Sequence, residues 1–599
     1  MYTHILNLYF DYYLFPIMKE SKMKPEDSRY TNIDKSLHAA MSKLTSGLSP
    51  SALMAAYADW AVHLTSSPGK QSQLIEKAAR KSLRLAGFIG GSTEQQGENE
   101  PCIEPLPFDK RFSDEAWKKW PFNLLYQSFL LNQQWWSNAT TGVHGTTKQH
   151  ENVMEFATRQ VLDIFSPSNY LLTNPQLIEQ TKKEGGQNLV RGMQNFMDDV
   201  QRTIGNKKPA GAEQFTVGKN LAVTAGKVVY RNSLMELIQY DAITEQVHPE
   251  PILIVPAWIM KYYILDLSTK NSLVKYLTEQ GFTVFMISWK NPSEEDRNIG
   301  MSDYRELGVM EAIDTVSKIT DNAKIHGIGY CLGGTLLSIA AAAMSRDGDD
   351  RFQTLSLLAT QVDFSEAGEL MLFINESQVS FLEDMMWEQG YLDAKEMSGA
   401  FQLLRSNDLI WSRMVHDYLM GERTPMNDLM AWNFDTTRMP YKMHSQYLRQ
   451  LFLDNDLSEG RYLVDDKPIS ISDIRAPTFV VGTQKDHVAP WHSVYKFHLL
   501  SDTDVTFLLT SGGHNAGIVS EPGHPRRTYQ IATTKKDAKY TDPQSWAEKQ
   551  KTHEGSWWPE LSTWLQRHSG KSITPPTLAA PKKKIEVICD APGTYVMQD

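Results

Sequence analysis

The sequence predicts a doubly wound α/β domain with a helical insertion, preceded by a largely helical N-terminal region. Three observations lead there. From about residue 251, short continuously apolar runs alternate with helical segments, the pattern of parallel strands buried on both faces. Before residue 200, two long stretches repeat apolar residues at helical spacing instead. The 599-residue chain also exceeds what one ordinary core supports, so a main domain with accessory parts is expected.

The elements follow in order. The start, "MYTHILNLYFDYYLFPIMKESK", is apolar but lacks the early basic residues and small-residue cleavage site of a signal peptide, and Asp11 interrupts it. Residues 1–34 therefore read as a variable extension, a surface helix or an upstream start with Met18 or Met23 as alternatives. Residues 35–235 form a helical N-terminal domain. "SPSALMAAYADWAVHL" opens on a serine-proline cap signal, and "WKKWPFNLLYQSFLLNQQWW" starts a second helical run. The Gly/Glu/Gln-rich stretch around "GGSTEQQGENEP" reads as a linker over about 88–105. "TVGKNLAVTAGKVVYRN" looks like a strand pair.

The α/β domain spans 236–575. Its strands are "PILIV", "TVFMISW", "KIHGIG", "TLSLLAT", "PTFVVGT" and "VTFLLT". Between the fourth and fifth lies an insertion over about 365–450, rich in Met and aromatic residues and suited to a lid over the strand ends. A bare scaffold subdomain is the alternative. On the lid reading, Met385, Met386 and Trp387 are expected to shield the site from water. Residues 576–599 form a docked tail.

Composition narrows the function. Hydrophobic residues make 41% and charged residues 22%, which is ordinary globular usage. The net charge of −11 lacks the basic footprint of a nucleic-acid binder. Three cysteines build no disulfide framework, and no Cys/His spacing suggests zinc. No metal or cofactor is expected, no stretch has the length of a transmembrane helix, and a reducing cytoplasm is the natural compartment.

The chemistry centres on Gly329-Tyr330-Cys331-Leu332-Gly333, a G-x-C-x-G between an apolar strand and an alanine-rich helix. It has the form of a nucleophile elbow with cysteine in place of serine. With three cysteines and 36 glycines, chance would produce about 0.01 such matches, so a structural cysteine is the minor reading. The partners appear in the order acid then histidine: Asp486 after "PTFVVGT" and His514 after "VTFLLT". A free thiol has a pKa of about 8.5, so an imidazole beside it is needed to raise the thiolate fraction. Backbone N–H groups for an oxyanion are expected from Leu332 and from Ala257 or Trp258, because Pro256 has no N–H. His487 is expected to point away, His326 to be a packed core histidine, and Cys102 and Cys589 to be incidental.

Taken together, "GYCLGGT", "VPAWIMKYYILDLSTKNSLVKYL", "FMISWKNP", "GTQKDHVAPW" and "GGHNAGIVSEPG" resemble the polyhydroxyalkanoate synthases. The likeness runs from about residue 40 to the "APGTYV" tail, and the length is similar to the single-subunit synthases that prefer short acyl groups. The resemblance implies an α/β-hydrolase fold and an acyltransferase that polymerises (R)-3-hydroxyacyl-CoA, with 3-hydroxybutyryl-CoA the expected monomer. It further implies a cytoplasmic homodimer at the surface of the polyester granule, with Cys331 as nucleophile, His514 as base and Asp486 as acid. Asp486 either orients His514 or activates the incoming 3-hydroxyl. Two departures stand beside the site: Ala257 and Met260 replace a proline and an asparagine frequent in the family, and Asn515 replaces a frequent isoleucine. A thioesterase or depolymerase of the same fold, or a silent granule-binding protein, is the alternative function.

Overall fold

The computed structural model describes residues 25–45, 47–94, 100–107, 109–205, 207–393, 396 and 410–599. Residues 1–24, the apolar start of the expected extension, lie outside them. A helix over Pro25–Thr45 runs through the expected boundary at residue 34. Further helices follow at Pro50–Thr65, Pro68–Glu94, Phe122–Thr140, Lys148–Ile164, Pro175–Lys183 and Gln187–Ile204. Their starts are written in the sequence. The side chains of Ser49, Thr147 and Asn174 each accept a hydrogen bond from a first-turn N–H, and Pro50 and Pro175 occupy the first helical position.

The linker expectation needs correction. The helix Pro68–Glu94 continues through Gly90 and Gly91, so the first part of the stretch 88–105 is helical, and residues 95–99 lie outside the described set. Phe88, just before the glycines, is buried, and Trp135 Nε1 donates to the Leu74 carbonyl at 3.0 Å, so the helix is anchored at these two points while Ile75, Leu83 and Ile89 stay exposed. That packing outweighs the roughly 1 kcal/mol each glycine costs in a helix.

Eleven strands form one sheet: β1 Gly226–Arg231, β2 Met235–Tyr240, β3 Ile252–Val255, β4 Val284–Trp289, β5 Ile325–Tyr330, β6 Phe352–Leu358, β7 Thr478–Thr483, β8 Val505–Thr510, β9 Thr528–Thr534, β10 His553–Glu554 and β11 Cys589–Asp590. The spatial order is β10-β9-β8-β7-β6-β5-β3-β4-β2-β1-β11. The six strands from β8 to β4 run parallel, and antiparallel strands finish both edges. This is the doubly wound sheet the apolar runs predict, and β3, β4, β5, β7 and β8 are buried throughout.

Two strand details differ from expectation. The hairpin is β1–β2, whereas Val217 and Leu221 make only an isolated bridge. Asn232 Oδ1 accepts from the N–H groups of Leu234 and Met235, both at 2.9 Å, and so sets the turn later in the chain. The sheet also continues past β8, through strands of mixed polarity that carry no continuous apolar run. The tail is docked: β11 pairs with β1, and the N–H groups of Thr594 and Tyr595 each donate to buried Glu236 at 2.9 Å.

Connections leave β3 toward β4 on one side and β5 toward β6 on the other. The crevice between β3 and β5 is therefore a topological switch point, where ligands of such sheets bind at the carboxyl ends of the strands. Cys331 and the loop that begins at Pro256 both open onto it.

The insertion packs as short helices over that edge and is gripped by the N-terminal helices. Its helix Glu376–Gln389 lies along Pro25–Thr45, joined by His38–Asp384 at 2.7 Å and Lys43–Glu388 at 3.0 Å. Gln378 accepts from Ser49 N–H and donates to the Gly47 carbonyl. Met385 and Met386 are buried core residues rather than cavity lining, and Trp387 carries the Lys35 ammonium 5.4 Å from its ring. The expectation that these three shield the site is thereby corrected: the helix is apolar because it is sandwiched between two layers. Residues 394–395 and 397–409 of the insertion lie outside the described set. Among the described residues no helix is long and apolar enough to cross a membrane.

Glycine packing at the switch point gives a test. A Cβ on Gly333 would sit 2.1 Å from the Val255 carbonyl oxygen, whereas one on Gly87 meets nothing within 4 Å. Gly333→Ala should destabilise the domain by about 3 kcal/mol, the upper range for overpacking. Gly87→Ala should hold or raise the melting temperature. Calorimetry on both variants checks the contrast.

Candidate active site

Cys331 sits at the base of the helix Leu332–Arg346 with φ 52° and ψ −125°, a backbone conformation that a residue with a side chain adopts only under strain. The neighbouring glycines make the turn possible. A Cβ on Gly329 would meet Gly334 Cα at 2.3 Å, and Gly333 lies against the backbone of Val255 and Pro256. The turn is pinned to the sheet. Cys331 N–H donates to the Leu358 carbonyl at 2.9 Å, and Thr360 Oγ1 donates to the Cys331 carbonyl at 3.2 Å.

Asp486 and His514 emerge after β7 and β8 and are joined, with His514 Nδ1 2.8 Å from Asp486 Oδ2. Thr483 Oγ1 donates to the same oxygen at 2.8 Å. The N–H groups of Val488 and Ala489 donate to Oδ1 at 2.9 and 2.8 Å. Burial pushes Asp486 upward, but the His514 charge and these donors outweigh it and hold the carboxyl below its ordinary value. Burial likewise pulls His514 down. The Asp486 carboxylate and the adjacent Cys331 sulfur overcome it and raise the imidazole well above the ordinary histidine value. The sign of the linkage follows. Asp486 contributes stability above about pH 3.9 that is lost as pH falls, and His514 contributes below about pH 6.5 and is lost as pH rises through its raised pKa. Both contributions are complete only between those values.

Cys331 opens onto a cavity of about 130 Å³ that the insertion helps to line. Leu332, Thr335, Ala359, Gln361 and Phe364 line it from the sheet side, and Leu370, Phe373, Ile374, Leu382 and Leu392 from the insertion. Met439, His444, Tyr447, Leu448 and Phe452 complete that wall, with Gly47 and Leu48 from the N-terminal region. Leu332 apart, sequence reasoning missed these residues, His444 and Tyr447 included, because no motif marks "MPYKMHSQYL".

The remaining expected residues are found as follows. Leu332 lines the cavity at the first position of its helix, where an N–H has no partner within the helix. Ala257 and Trp258 are buried in the loop after β3, whose cavity-lining residue is Ile259. Asn515 bridges two elements. It accepts from Tyr330 Oη at 2.6 Å, and its Nδ2 donates to Asn433 Oδ1 of the insertion at 3.2 Å. The Tyr330 ring lies 5.7 Å from that of His514. His487 does not line the cavity. His326 is fully buried between Thr354 and Ser569 hydroxyls, and burial pushes it down to about 3. Cys102 and Cys589 are free thiols outside the cavity.

A parallel sheet, a strained cysteine elbow and a histidine–carboxylate pair after later strands define a protein of the α/β-hydrolase fold. The family description "alpha/beta hydrolase fold" matches residues 250–520. Two further descriptions, "Poly-beta-hydroxybutyrate polymerase (PhaC) N-terminus" and "Poly-beta-hydroxybutyrate polymerase N terminal", match residues 108–277 and 28–70. A poly(3-hydroxyalkanoate) polymerase of Methylorubrum extorquens is 40% identical over 534 residues, covering 87% of each chain. The polymerase subunit of Rhizobium etli is 37% identical, covering 88% of this chain and 82% of its own. That of Cupriavidus necator is 34% identical, covering 82% and 83%. The chain belongs to the poly(3-hydroxyalkanoate) polymerase family of acyltransferases. A solved monoacylglycerol lipase from Paleococcus ferrophilus overlays on 54% of this chain and 98% of its own at 14% identity, with a TM-score of 0.28, too distant for any inference.

The paired charges predict a titration. Asp486→Asn should lower the His514 pKa from its raised position, because burial then meets only the opposition of the Cys331 sulfur. Histidine-selective NMR reads this directly, and an unchanged His514 titration would remove Asp486 as the group that holds it.

Proposed function

We propose that this polymerase joins (R)-3-hydroxyacyl groups, 3-hydroxybutyryl first among them, from CoA thioesters into polyester through a thioester on Cys331. The observation that carries the reading is the strained Cys331 beside His514 at a largely apolar cavity, in a chain of this family.

In the first step Cys331 Sγ attacks the thioester carbon of the acyl-CoA. His514 takes the thiol proton and returns it to the departing CoA sulfur. The oxyanion formed between is held by the Leu332 N–H and by that of Ala257 or Trp258. One thioester replaces another, so little acyl-transfer potential is lost; a serine would drop to an oxygen ester at once. In the second step the 3-hydroxyl of another acyl group attacks the enzyme thioester, His514 takes its proton, and an ester bond forms as Cys331 leaves. With all four Asp486 contacts made to protein groups, the arrangement supports an orienting role for that carboxylate over direct activation of the hydroxyl. Water would end growth by hydrolysis, and the apolar wall from the insertion excludes it.

The rest of the reading follows the family. The length of 599 residues, similar to that of the single-subunit synthases, supports a single-subunit enzyme for short acyl groups. Exposed Leu44, Leu53, Met54, Val62, Ile75 and Leu83 on the N-terminal helices suit a polyester granule surface or a second copy in a homodimer. The cytoplasm, where such granules form, is the proposed location.

The test supplies (R)-3-hydroxybutyryl-CoA and follows CoA release together with insoluble polymer. Wild type should yield both, and Cys331→Ala should fall below about one-thousandth of that rate. CoA release with soluble hydroxyacid alone would make the enzyme a thioesterase. Leu370→Asn with Phe373→Asn, both at the cavity wall, should raise free hydroxyacid relative to polymer. An unchanged ratio in a folded variant would mean the insertion does not exclude water.

A further inference from the structure

The cavity above Cys331 contains a polar group the mechanism does not use. Thr335 donates to the Gln361 carbonyl at 2.8 Å, Gln361 donates to Ser493 at 3.0 Å, and Gln378 is held by Ser49 and Gly47. Glu396 has an interaction of its own. Thr335, Gln361 and Gln378 are thus committed to the protein.

His444 is not. It lies on the short helix Tyr441–Gln446, is 2% exposed, and lines the cavity, yet among the described residues its Nδ1 has no hydrogen-bond partner. Its ring lies 5.8 Å from that of Tyr447, and Tyr447 is close enough to feel the Cys331 charge. A buried polar atom left unpaired costs about 1–3 kcal/mol, and such atoms call for an explanation in a ligand or function.

We propose that His444 is a substrate-binding residue whose imidazole hydrogen-bonds the oxygen on the 3-position of the acyl group carried by Cys331. This rests on the polymerase reading above. The thioester carbonyl of that acyl group goes to backbone N–H donors, so the next oxygen along it is the 3-hydroxyl, and the remaining alkyl carbons suit the apolar wall. Once the chain has grown, the same oxygen is part of an ester and can only accept. A neutral imidazole carries one donor and one acceptor, so it serves both states. Burial pushes His444 down to about 4, which keeps it uncharged in an apolar cavity at neutral pH.

The experiment compares single-turnover CoA release from (R)-3-hydroxybutyryl-CoA and from butyryl-CoA, which lacks the hydroxyl. His444→Phe should lose about tenfold or more in kcat/KM on the hydroxy substrate, the usual size for an interaction of this class. Its rate on butyryl-CoA should stay within about twofold, because apolar contact is kept. His444→Asn, which retains a donor and an acceptor, should recover part of the loss. Equal losses on both substrates, or no loss on either, overturn the proposal. A melting curve accompanies each variant, and His444→Met carries the comparison if the phenylalanine does not fit. Wild type that releases no CoA from either substrate would overturn the polymerase reading and this proposal together, an outcome distinct from active enzyme with equal losses.

Discussion

The strained turn at Cys331 is the constraint on which the rest of the site depends. Backbone in that region costs about 1–3 kcal/mol and persists only where its surroundings over-determine it. Here they do so three ways. The Cys331 N–H is tied to β6, its carbonyl receives Thr360, and the glycines on either side let strand, helix and the loop after β3 approach backbone to backbone. The close approach also sets the distance between the two proposed sources of oxyanion donors, Leu332 and the Ala257–Trp258 loop. A larger residue at 333 would push both apart.

Around that turn, charge is handled by pairing and by shape. Asp486 is buried with every near partner a donor, so it stays below the ordinary carboxyl value and raises His514 against burial. The insertion then removes water from the same space, which strengthens each of these interactions. The insertion is kept in place from its far side. The N-terminal helices contact it along Glu376–Gln389 and contribute Gly47 and Leu48 to the cavity wall itself. The helical N-terminal region is therefore part of the reaction chamber and not an appendage to the sheet.

How much of this was legible depended on how locally each feature is encoded. The elbow could be read because a glycine turn between an apolar strand and a helix is one continuous segment. Asp486 and His514 could be read because parallel topology delivers the loops after β7 and β8 to the edge that bears Cys331. The cavity wall could not, since Leu48, Ile259, Phe373, His444 and Val488 meet only in the folded chain. The Met and aromatic content of the insertion over about 365–450 marks it as apolar but does not say which side each residue buries, and Met385 and Met386 face the core. The glycine pair at 90–91 signalled a linker, and long-range packing of Phe88 and Trp135 kept it helical.

The residue after the histidine joins these themes. An isoleucine there would offer only an apolar contact. Asn515 instead accepts from Tyr330, the residue before the nucleophile, and donates to Asn433 on the insertion. The Tyr330 ring in turn lies beside His514. Histidine loop, elbow and insertion thus share one short polar chain, in which the first link is short and part-buried and the second is longer and exposed. Solvent competes for the exposed link far more than for the buried one. The Tyr330–Asn515 pair therefore ties the histidine loop to the elbow more firmly than the exposed Asn433 contact ties it to the insertion.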